Sequence, residues 1–211
     1  MKQITEARFL KDVAAHQMTV LRDGGIYRHL KFKAAKDNWN QWFELVTWPG
    51  SLLIGGDMGT WSFSRIEDMF QFFRRPDGDL NPDYWAEKLE ACSRIDGDCK
   101  TFCARTFKAA VIESLDNYSL EEAERQKIEQ AIRDDVFLDE EDETVLRREL
   151  SDFKHGDFEL SETWEITGRV WGYRFLWCLY AIVWGIQQYD YREDRSSSPK
   201  LSREPEAGAQ G

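Results

Sequence analysis

LLIGGDMGTWSFS, residues 52–64, sets three glycines and an aspartate between an apolar run and an alternating one. A phosphate cradle needs GxxxxGK[ST], whose lysine and hydroxyl reach phosphate and metal, or GxGxxG opening a helix after a strand. Gly55-Gly56-Asp57-Met58-Gly59 has neither spacing, and Thr60-Trp61-Ser62-Phe63 behind it alternates like a strand. Glycine supplies bulges and positive φ at low steric cost, and aspartate tolerates the same turns. The stretch reads as a corner between two strands. It is not the start of a nucleotide-binding βαβ unit.

The pattern extends outward from that corner. MTVLRD (18–23), IYRHLKFK (26–33), QWFELVTW (41–48), SLLIGG (51–56) and TWSFS (60–64) are strand-like, with turns at Asp23-Gly24-Gly25 and Pro49-Gly50. Ile26, Arg28, Leu30 and Phe32 share one face of the second run, and Arg28 interrupts its apolar character. An antiparallel meander of three to five strands is predicted. TEARFLKDVAA (5–15) reads as a short amphipathic helix capped by Thr5. Ser64 and Glu67 form a capping-box pattern before RIEDMFQFF, and 74–83 is loop-like in its Pro, Gly and Asn content.

Further helices are predicted at 84–94, 103–115, 119–135 (with Ser119 and Glu122 as a second capping box), 143–153 and 173–190. The uncharged stretch FLWCLYAIVWGIQQY, 175–189, is shorter than the ~20 residues that cross a bilayer, so it reads as a buried helix. Residues 192–211 are polar and rich in Ser, Pro and Gly, as in a disordered tail. Strands first and helices after give an α+β class. The expected arrangement is one domain, 1–191, with an N-terminal antiparallel meander packed against C-terminal helices and an acidic helical lobe at about 119–165.

Charge is the most uneven property of the chain. The net charge is −11, and residues 119–165 hold 17 Asp/Glu against 6 Lys/Arg, so the remainder is neutral. A direct nucleic-acid binder needs a basic stripe to neutralise phosphates, and none is present. The run Asp139-Glu140-Glu141-Asp142-Glu143 lacks the D-x-D-x-D-G spacing of a calcium loop. It reads as a solvated acidic surface, with Glu140, Glu141, Asp142 and Glu143 as candidate partner-binding residues.

Cys92, Cys99, Cys103 and Cys178 form no CxxC pair, and the chain opens with charged residues rather than a secretory signal. Reduced thiols in a cytoplasm are the expectation, with no metal and no cofactor. Nine tryptophans are many for 211 residues. Most suit a core, but Trp39, Trp42, Trp48, Trp61, Trp164 and Trp171 flank turns and strand ends. Trp48 and Trp61 are the candidates for an aromatic partner-binding rim. A competing ligand site would gather Arg28, His29 and Asp57 beside Trp61 on the sheet.

FELVTWPGSLLIGGDMGTWSFSRIEDMFQFF (43–73) and RFLWCLYAIVWGIQQYD (174–190) together resemble a family of accessory proteins encoded by tailed phages and prophages. The family's order of aromatic residues is unusual, and the two blocks cover about a quarter of the chain. The resemblance carries no catalytic residue over, and 95–165 lies outside it. It implies a phage gene product acting in the bacterial host cytoplasm.

Three functions are compatible with these observations. The first is a phage-encoded inhibitor of a host anti-phage defence protein, with the acidic surface imitating nucleic acid or blocking a basic groove. Its partner would be a nucleic-acid-binding defence component, with no membrane involved. The second is a binder or hydrolase of a nucleotide signal using Arg28, His29, Asp57 and Trp61. The third is a phage structural or assembly protein.

Overall fold

The computed structural model describes residues 4–35, 37–75, 79–93, 98–138 and 141–197. The fold is α+β. In chain order the elements are α1 (Glu6–Val13), β1 (Gln17–Gly24), β2 (Tyr27–Lys33), β3 (Phe43–Trp48), β4 (Ser51–Gly56), β5 (Trp61–Ser64), α2 (Met69–Phe73), α3 (Pro82–Ala86) and β6 (Leu89–Cys92). They continue with β7 (Lys100–Phe102), α4 (Ala104–Ser114), α5 (Glu122–Ile132), α6 (Glu143–Asp152), β8 (Lys154–His155), β9 (Phe158–Glu159), β10 (Arg169–Trp171) and α7 (Tyr173–Ser197). Where the sequence suggested one domain, these elements group into two compact units: 98–173, and 4–97 with the chain after 173.

The larger unit is a six-stranded antiparallel sheet in the order β1 to β6. Alternation along β2 to β5 sends Leu30, Phe32, Phe43, Leu45, Leu52, Ile54, Trp61 and Phe63 to one face, all buried. α1 and α7 supply the opposing layer. The Phe9 ring lies 5.2 Å from Trp177, Phe43 lies 5.7 Å from Trp177, and Trp61 meets Phe175 at 5.1 Å. Gly185 lets α7 approach the sheet closely, because a Cβ there would lie 2.8 Å from Leu45 Cδ1. Among the described residues no helix is long and apolar enough to cross a membrane.

The glycine-rich stretch is indeed a corner, between β4 and β5. Gly56 has φ +153°, and a Cβ on it would fall 2.2 Å from the Trp42 carbonyl oxygen. Asp57 closes the corner: its N–H donates to Trp42 O at 3.0 Å, and its Oδ2 accepts from Gln41 N at 2.8 Å.

Four predictions from the sequence need correction. The helix expected at 84–94 is one turn, α3, followed by strand β6, because the exposed edge of β5 offers Leu89, Ala91 and Cys92 a ladder opposite Phe63, Ser62 and Trp61. Ser64 caps no helix; its hydroxyl donates to Gly50 O, and Asp68 caps α2 through Phe70 N. Ser119 is likewise not a cap, since α5 starts after Glu121. The tail was expected from 192, but α7 runs on to Ser197, and residues 198–211 lie outside the described residues.

The 98–173 unit has its own core. Phe107, Val111 and Leu115 of α4 pack with Ile128 and Ile132 of α5, Leu146 and Leu150 of α6, and Val136 and Phe137 of a π-helical turn at Arg133–Phe137. Each such side chain stabilises the unit by about 1.5–3 kcal/mol on burial. β7 and β10 pair antiparallel at its base, Lys100 opposite Trp171, and Gly172 N donates to Cys99 O at 2.8 Å.

Candidate interaction surface

Within 98–173 there are 20 Asp/Glu against 10 Lys/Arg, a net charge of −10. Part of this charge is neutralised internally. Arg125 bridges Asp116 and Glu129 at 2.7 and 3.3 Å, Arg133 reaches Glu129 at 2.6 Å, and Lys154 reaches Glu159 at 2.6 Å. Glu121, Glu124, Asp135, Asp152, Asp157, Glu162 and Glu165 are exposed and have no cation at ion-pair distance among the described residues. Trp164 sits in a 3-10 turn, Thr163–Glu165, between two of these carboxylates and is 74% exposed.

The acidic run at 139–143 is not the uniformly solvated patch its composition suggested. Asp139 and Glu140 lie outside the described residues. Asp142 is the N-cap of α6, its Oδ1 accepting from Thr144 N at 2.9 Å and Val145 N at 3.2 Å. Glu143 pairs with Arg147 at 3.0 Å and faces Arg169 at 3.5 Å. Glu141 is exposed. Two of the four residues assigned to partner binding thus hold the unit together, because a run entering a helix places its carboxylates on first-turn N–H groups and i+4 cations.

The aromatic rim is also redistributed. Trp61 is 1% exposed and belongs to the core, so it presents nothing to a partner. Trp48 ends β3 and is 39% exposed. Trp39 is exposed, lies 5.3 Å from Trp42, and has Lys33 Nζ 4.0 Å from its ring centroid.

Arg28, His29 and Asp57 are not brought together. Neighbours on a strand face opposite ways, so Arg28 points into the core layer and His29 to the other face. Arg28 is 8% exposed and grips Asp68 in a two-pronged pair at 2.9 and 3.2 Å, with its guanidinium 4.5 Å from the Phe70 ring. Burial opposes the Arg28 charge, but Asp68 and Tyr189 outweigh it and leave the pKa above its ordinary value. His29 Nε2 meets Glu44 Oε2 at 3.0 Å, and Asp57 is committed to the corner. Among the described residues, the clefts beside α4, beside Ser114 and Ile166, beside Arg74 and beside Phe9 are lined by none of the three.

The four cysteines form no disulfide. Cys103 precedes α4, and hydrogen bonds from the Thr106 hydroxyl and backbone N–H lower its thiol pKa. Among the described residues no three His, Cys, Asp or Glu side chains gather as metal ligands. No family model, curated protein or solved structure matches this chain.

Proposed function

We propose that the protein is a binding protein that captures a basic protein surface through its 98–173 unit, its carboxylates standing where nucleic-acid phosphates would lie. In the setting implied by the phage resemblance, the partner is a nucleic-acid-handling defence protein of the bacterial host cytoplasm, and capture inhibits it. The observation that carries this reading is Trp164, exposed between the free carboxylates of Glu162 and Glu165 in a unit of net charge −10. An exposed tryptophan supplies contact area at low entropic cost, and the surrounding charge steers encounter with a basic groove.

The test is affinity capture from a bacterial host lysate with the wild type and with Trp164→Ala/Glu162→Lys/Glu165→Lys, followed by mass spectrometry. The expected partner is retained by the wild type, lost by the variant, and displaced by a DNA duplex. Its association rate should fall steeply with salt, since exposed charges act over about 8 Å at physiological ionic strength. Recovery of the same proteins by the folded variant refutes the reading.

A further inference from the structure

We propose that the groove between α4 and the π-helical turn binds an organic phosphate, a reading argued from the groove's own lining and not from the proposed function. The groove encloses about 650 Å³, within the size range of small-molecule sites. Its floor is apolar: Ala104, Ala109 and Ile112 of α4 and Phe137 of the turn. Ala104 and Ala109 leave open the space that larger side chains would fill. π-helical turns are rare and recur at functional sites.

Four cations line the groove, and two of them, Arg125 and Arg133, are paired with Asp116 and Glu129. Arg105 and Lys108 stand one turn apart in the first half of α4, so they share a face at the positive end of the helix dipole. Neither has a carboxylate at ion-pair distance among the described residues. Lys108 Nζ instead donates to the neutral Phe137 carbonyl at 3.2 Å, which fixes the ammonium at the groove wall and leaves its charge uncancelled. Of the carboxylates that line the groove, Glu113 lies about 12 Å along α4 from Arg105, and Asp116, in the 3-10 turn Leu115–Asn117 beyond the end of α4, is held by Arg125 at 2.7 Å. Glu141 lines the rim.

A guanidinium fork beside an ammonium matches a multi-oxygen dianion better than a single carboxylate. A phosphoryl group at Arg105 and Lys108 would lay its organic body along Ala109, Ile112 and Phe137. The unit is otherwise strongly acidic, so this end of α4 is where an anion can be held.

Calorimetric titration with phenyl phosphate, inorganic phosphate, benzoate and phenol tests the site in the full chain. Phenyl phosphate should bind saturably and at least about tenfold more tightly than the other three, the equivalent of one charge-assisted hydrogen bond or the burial of its ring. Arg105→Ala should weaken it about tenfold, and Ala109→Leu, which fills an exposed part of the groove, should abolish it. Both positions are exposed, so circular dichroism should match the wild type. Absence of saturable binding overturns the proposal, as does equal binding of inorganic phosphate or benzoate. So does phenyl phosphate affinity unchanged in both folded variants.

Discussion

Removing the carboxylate of Asp68 should be among the most damaging single changes in the larger unit. Arg28 sits at 8% exposure with its guanidinium between Asp68 and the Phe70 ring, and among the described residues its Nε has no hydrogen-bond partner. Asp68→Asn keeps an oxygen for the Phe70 N–H but leaves the buried cation without its counter-charge, which costs about 3–5 kcal/mol in comparable pairs. Asp68→Ala also removes the α2 cap, adding about 1 kcal/mol. Arg28→Met combined with Asp68→Asn should recover at least about 1 kcal/mol relative to Asp68→Asn alone, because an apolar chain against Phe70 strands no charge. Urea unfolding followed by tryptophan fluorescence measures this directly, since seven of the nine tryptophans lie in the larger unit. A loss below about 1 kcal/mol for Asp68→Asn, or a double variant less stable than the single one, refutes the account of the pair.

Gly56→Ala should destabilise the corner by about 2 kcal/mol or more, since it combines a backbone conformation disfavoured for alanine with a clash against Trp42 O; an unchanged melting temperature would contradict that geometry. His16 is held below the ordinary imidazole value, chiefly by burial, against the opposing influence of the Gln41 carbonyl and Asp12. The unfolded chain therefore takes up a proton that folded His16 resists, and stability should fall as pH drops below about 6.5. His16→Phe should flatten that dependence, and identical pH profiles of the urea midpoint would exclude it. Asp142→Ala should cost about 1 kcal/mol through lost capping of α6, whereas Asp142→Asn, which keeps an oxygen for the same N–H groups, should stay within about 0.5 kcal/mol by thermal unfolding.

The meander was legible because its strands alternate strictly where one face is buried: Leu30 and Phe32, Phe43 and Leu45, Leu52 and Ile54 all keep period two. Arg28 breaks that pattern in the sequence, which marks it as a candidate ligand group. Its partner Asp68 lies 40 residues away, a pairing that no local pattern signals. β6 was missed for a related reason. LEAC has helical spacing on its own and becomes a strand only because β5 leaves an edge open beside it. The acidic excess was plain from composition, but which carboxylates are free depends on partners four residues along a helix or on another element. Arg105 and Lys108 carried an i,i+3 signal for a shared helical face.

The paired strands β7 and β10 bring the two ends of the 98–173 unit side by side, with Gly172 bonded to Cys99. A segment that begins and ends at one point can be exchanged like a cassette, because the flanking chain needs only a short linker to rejoin. A version lacking 100–171, closed by a few glycines and serines, should retain the six-stranded sheet and α7. Different inserts joined at Cys99 and Gly172 would then let one scaffold carry a series of different units.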